Sequence, residues 1–149
     1  MKILHAPNNI VNIPFLISKA TKKLGYTCET MTFNKYHYND ASDYVIFPGK
    51  TKIEKLELYR KVKLVSFMTY ALMKYDVFQF HTRVSFLPNH FDTDLIVNLK
   101  KKYFIYHHGS DVIGNQNYLK HVPHSKNAVE IFISTPDLFD CTPKSSILI

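Results

Sequence analysis

The chain has 149 residues, about one domain's worth, and its 46% hydrophobic and 21% charged content is that of a folded protein, which excludes general disorder. Its two cysteines, Cys28 and Cys141, have no metal-type spacing and are too sparse for a disulfide framework, so they read as reduced thiols. The formal charge of +7 lies in the first half: residues 1–74 hold 12 Lys/Arg against 5 Asp/Glu, and residues 75–149 hold 7 of each. That asymmetry fits solvated helix faces as well as it fits a surface for an anionic partner.

Taken in chain order, Met1 and Lys2 lead through a run of only Ile3-Leu4 into His5, too short for a signal peptide. Residues 2–5 predict a first strand that runs into Ala6-Pro7-Asn8-Asn9. Ile13, Leu16, Ile17, Ala20 and Leu24 then recur at helical spacing and are expected to face inward, with Lys19, Lys22 and Lys23 on the other side. Pro14 suits the first turn of this helix and Gly25 its C-terminal stop. Residues 27–33 alternate and are rich in threonine, as a second strand requires. Residues 44–47, closed by Pro48-Gly49, predict a third.

Helical signal covers residues 52–74, with a candidate break near Lys61. Its later part, including Leu64, Val65, Phe67, Met68, Ala71 and Leu72, is apolar on most sides, as in a helix packed between a sheet and something else. Lys63, Ser66 and Thr69 interrupt this stretch, and it is too short to span a bilayer. The expected location is the cytoplasm. Residues 77–81 predict a strand. Residues 92–102 predict a helix with Leu95, Ile96 and Leu99 inward, three lysines at its end, and Asp92 and Asp94 on a solvent-facing start where carboxylates suit the helix dipole. Residues 103–107, 129–134 and 145–149 predict three more strands.

Strands alternating with helices imply crossover connections. The expected class is therefore α/β: a single Rossmann-like domain over residues 1–149, with a mostly parallel sheet and helices on both faces. In such sheets ligands bind at the carboxyl ends of the strands. Those predicted ends carry Asn8-Asn9, His81-Thr82-Arg83, His107-His108-Gly109-Ser110-Asp111 and Ser134-Thr135-Pro136-Asp137. Gly109 permits a close approach or an unusual backbone angle, Ser110 and Asp111 can accept hydrogen bonds, and Arg83 can hold an anion. A tight turn with a packing histidine accounts for residues 107–111 equally well.

Other chemistries find less support. His121, His124 and Cys141 do not complete a structural zinc set, and neither Walker A, GxGxxG nor GxSxG occurs. Basic and aromatic residues are not interleaved as on a nucleic-acid platform. No metal, cofactor or nucleic acid is expected.

The runs YDVFQFH (75–81), FIYHHGSD (104–111) and IFISTPDLFD (131–140), with ILHAPNN (3–9) before them and KKLGY (22–26) closing the first helix, resemble the N-terminal domain of GT-B glycosyltransferases of the family-4-like type. The resemblance covers essentially the whole chain. It implies the acceptor-binding half of an enzyme that moves a sugar from a nucleotide-sugar donor to a polysaccharide or glycolipid acceptor without a metal. The donor would be held by a C-terminal domain that these residues lack, so the chain alone is expected to be inactive. By motif position, His108 is the expected catalytic residue at the transferred sugar, Asp111 supports its loop, and His81 lies at the neighbouring strand end. Gly109, Ser110, Arg83, Asn8 and Asn9 complete the expected substrate-binding set.

This chain also departs from the family. The loop 8–13 lacks the glycine that many relatives place near a donor phosphate, and Ile113 stands where many carry arginine. A weaker expectation is that Lys19, Lys22 and Lys23 bring the domain to an anionic membrane, peripherally at its inner face. The alternative reading is a stand-alone Rossmann-like binding or interaction module without catalysis.

Overall fold

Seven strands form one parallel sheet in the order β3-β2-β1-β4-β5-β6-β7. They are β1 (Lys2–Ala6), β2 (Thr27–Asn34), β3 (Tyr44–Phe47), β4 (Val77–His81), β5 (Lys102–His107), β6 (Ile131–Ile133) and β7 (Ile147–Leu148). Among the described residues three α-helices accompany them, α1 (Ile13–Lys23), α2 (Glu57–Lys74) and α3 (Phe91–Asn98), with a short 3₁₀ helix at Pro123–Asn127. The computed structural model describes residues 1–8, 12–35, 42–49, 56–109, 122–134, 142–143 and 145–148. The α/β, Rossmann-like expectation holds.

Register explains how the two faces are filled. Leu4 stands beside Phe78, and Phe78 beside Tyr103; Ala6, Phe80 and Ile105 form the next row. All six are buried in one cluster with Met68 and Ala71 of α2 and Ile96 of α3. Phe86 meets Phe78 and Phe80 edge to face, at centroid distances of 6.1 and 5.5 Å, the favoured aromatic geometry. On the other face Cys28 interacts with Ser18 of α1. Thus α1 covers one face, and α2 with α3 covers the other.

The chain builds β1, β2 and β3 outward to one side. It then returns through α2 to place β4 against the far side of β1. The strand order therefore reverses between β1 and β4, the position where parallel sheets open a crevice at their carboxyl edge.

Several local expectations are corrected. In α1 the buried residues are Pro14 and Ser18. Leu16, Ala20 and Leu24 are exposed instead of inward, because the helix is rotated to seat Ser18 over Cys28. The helix α2 runs unbroken through Lys61. The helix α3 ends at Asn98 and not at 102, and Leu99 is exposed. The cause is a Schellman stop: Lys101 N–H donates to the Ile96 carbonyl at 3.0 Å and Lys100 N–H to that of Val97 at 2.8 Å. Lys102 is then already the first residue of β5. Among the described residues no helix is long and apolar enough to cross a membrane.

Candidate functional site

Three histidines meet at the switch point. His5 comes from β1, His81 ends β4 and His108 follows β5. His5 Nδ1 lies 3.0 Å from His81 Nε2, and His81 Nδ1 lies 2.9 Å from His108 Nε2. His81 uses both ring nitrogens, so the hydrogens of the row all run in one direction, from His5 toward His108 or the reverse. The ring of His108 stacks on His81 (centroids 5.2 Å, 12° between planes) and on Tyr106 (4.6 Å, 28°). Of the three, only His108 is partly exposed; His5 and His81 are buried.

Burial sets the charge state. It pushes His5 down to about 4. It holds His81 well below its ordinary value, and the neighbouring His5 and His108 add to the effect. Near neutral pH both rings are therefore uncharged. Two buried neutral imidazoles are unsuited to storing a proton. They can fix the tautomer and plane of the partly exposed His108 ring, whose Nε2 faces His81 and whose Nδ1 is itself buried.

Adjacent residues divide sharply. His107 aligns with Ile133 and is buried, so it faces the core opposite to the His5–His81 row. Strand alternation alone separates it from His108. Gly109 follows with φ at +125°, a backbone angle that side-chain-bearing residues rarely adopt. Nothing lies within 4 Å of where a Cβ would stand there, so conformation, and not crowding, favours glycine.

Among the other sequence candidates, Asn8 is half-buried just beyond β1 and Arg83 is exposed. Arg83 forms no salt bridge among the described residues. Asn9, Ser110, Asp111 and the segment 135–137 lie outside the described residues, as do His121 and Cys141. Among the described residues no group of three His, Cys, Asp or Glu is placed to hold a metal.

Sequence reasoning missed His5 as a site residue, reading it only as the end of a strand. It also misread Asp92. That carboxylate is fully buried, not solvent-facing. It accepts hydrogen bonds from Phe86 N–H at 2.8 Å, Leu87 N–H at 3.3 Å and Ser85 Oγ at 2.8 Å. Desolvation still raises its pKa, the hydrogen bonds opposing that rise. Asp92 thereby pins the β4–α3 loop from the first turn of α3. His90 stands beside it, 3.0 Å from Ser85 Oγ, and stacks on His124 at a centroid distance of 4.1 Å.

The pinned loop walls a cavity of about 970 Å³ at the same sheet edge. Phe33, Phe47, Leu64, Phe86 and Leu87 give it an apolar lining, and Arg60, Lys61 and Asn89 add polar groups. Arg60 lies over the Phe47 ring at 4.5 Å. Sequence alone assigned these residues to separate elements, and only the return of α2 across the sheet brings them together. Compared with known proteins, the chain matches no family model and shows no significant similarity to a curated protein.

Proposed function

We propose that this domain is the acceptor-binding half of a glycosyltransferase, which positions a hydroxyl-rich acceptor against His108. The observation that carries the reading is the His5–His81–His108 row, which ends in a half-exposed imidazole at the switch point. With Nε2 turned to His81 and Nδ1 buried, the His108 ring would meet a sugar through its partly exposed edge, held in one orientation by the row behind it. The motif resemblance supports the same assignment. Gly109, Ser110 and Asp111 would carry the loop around the sugar, with His81 behind the reacting ring and Arg83, Asn8 and Asn9 at the rim. The nucleotide-sugar donor would be held by a second domain outside residues 1–149, and a glycolipid acceptor would be met peripherally at the inner face of a membrane.

The test is saccharide binding followed by NMR. Glucose, galactose, N-acetylglucosamine, their octyl glycosides and UDP-glucose are titrated into protein carrying ¹⁵N-labelled histidine. At least one glycoside is expected to move the His108 imidazole signals, and His108→Ala is expected to weaken it by about ten-fold, the worth of one lost side-chain contact. UDP-glucose alone is expected to be neither hydrolysed nor transferred. Failure of every saccharide to bind the folded wild-type chain, or binding indifferent to His108→Ala, overturns the proposal.

A further inference from the structure

The outward face of α2 carries a row of exposed apolar side chains. Leu58, Val62, Val65 and Met73 recur at helical intervals, on the side turned away from Met68 and Ala71, which are buried against the sheet. Leu58 is 75% exposed, Val62 57% and Met73 82%. Ser66 and Thr69 lie within the stripe, but no charged residue does. Cations flank it, with Lys61 on one edge and Lys63 on the other. The helix as a whole carries Arg60, Lys61, Lys63 and Lys74 against the single carboxylate Glu57, which pairs with Lys61 at 2.6 Å. A long exposed apolar stripe of this kind marks a surface that meets something less polar than water.

Charge decides what that is. A second copy of the chain would set Lys61 and Lys63 against their own kind, with only Glu57 to compensate. An anionic bilayer offers hydrocarbon to the stripe and phosphates to the flanking lysines. The stripe also adjoins the cavity at the sheet's carboxyl edge, since Lys61 and Val65 border both. We propose that α2 is a membrane seat, lying in the plane of an anionic bilayer with Leu58, Val62, Val65 and Met73 immersed and Lys61 and Lys63 among the phosphates.

The lysines of α1 do not serve this role. They stand on the opposite face of the sheet from α2. The seat deepens the acceptor reading by naming a membrane lipid as the carrier of the sugar acceptor, and rests on that reading only for the identity of the cargo.

Vesicle flotation tests the seat. The protein is expected to float with phosphatidylcholine vesicles containing phosphatidylglycerol, and much less with phosphatidylcholine alone. The pair Val62→Ser and Met73→Ser, both at exposed positions, is expected to lower the bound-to-free ratio by about ten-fold. The pair Lys61→Glu and Lys63→Glu should lower it by at least as much, at roughly five-fold per cation removed. Lys19→Glu with Lys23→Glu should leave it unchanged, and circular dichroism verifies that each variant is folded. Absence of flotation, indifference to the stripe substitutions, or loss with the α1 pair overturns the proposal. So does a dimer in light scattering that Val62→Ser dissociates, which would make a second copy the occupant. Saccharide binding without lipid is expected to survive Val62→Ser and Met73→Ser, so the two proposals fail separately.

Discussion

His124 shows what burial does to a single side chain when no partner compensates. Only 5% of its surface remains exposed, and neither ring nitrogen has a hydrogen-bond partner among the described residues. Burial pushes its pKa down to about 3, with His90 and His107 adding to the effect. Its carbonyl accepts from the Tyr103 hydroxyl, so the backbone is anchored while the ring contributes only packing against His90 and Phe80. An unsatisfied buried polar group costs about 1–3 kcal/mol. His124→Phe keeps the ring and removes that cost, so at pH 7 it is expected to leave stability unchanged or raise it by about 1 kcal/mol in urea denaturation. A loss of more than about 2 kcal/mol would mean that the ring makes a polar interaction after all. The sequence offered His124 only as half of a weak metal pattern with His121, because nothing in HVPH reveals which ring is buried.

At the scale of elements, two helices end in the same motif with different residues. After α1, Gly25 takes φ +85°, its N–H donates to Lys22 at 3.0 Å, and Tyr26 N–H donates to Thr21 at 3.4 Å. After α3, Lys100 takes φ +56° in the same bonding pattern. A left-handed angle is costly for a residue with a Cβ and nearly free for glycine. Lys100→Gly is therefore expected to stabilise the protein by about 1 kcal/mol, read as a rise in the thermal midpoint. A fall would show that the Lys100 side chain contributes more than its backbone strain costs. The same contrast explains what was legible here. Glycine announced the end of α1, whereas lysines at residues 100–102 imitate the basic last turn of a longer helix and hid the end of α3. Asp92 misled for a related reason. A carboxylate at a helix start usually meets solvent, and only the chain reversal at Ser85–Leu87 turns backbone donors onto it.

For the whole molecule, the buried histidines couple stability to pH. Their unfolded value is about 6.5, against about 4 for His5 and about 3 for His124 in the folded protein. Between these values the unfolded chain binds more protons than the folded one. Stability is therefore complete above about pH 6.5 and is lost as the pH falls toward 4, each of these rings removing up to roughly 3 kcal/mol. Asp92 works in the opposite sense, because its raised folded-state pKa makes the folded protein hold a proton that the unfolded chain releases. One carboxylate against two histidines, with His81 shifted in the same direction as they are, leaves acid destabilisation dominant. Urea midpoints are expected to fall steadily from about pH 6.5 to about pH 4.5. A flat profile over that range would mean that the histidines are not buried in the neutral form.

The sequence by itself determined the elements and their order, because period-2 and period-3.6 patterns are local properties that the strands and helices must satisfy one by one. It also set the parallel α/β class and placed His81 and His108 at strand ends. Only the tertiary structure decided which strands are neighbours. The pairing of β1 with β4 brings His5 within 3.0 Å of His81, although 76 positions separate them. The return of α2 likewise joins Phe33, Phe47 and Phe86 around one cavity and leaves Leu58, Val62 and Met73 facing outward. Those outcomes depend on which distant surfaces bury each other, a free-energy difference summed over the whole chain that no local window contains.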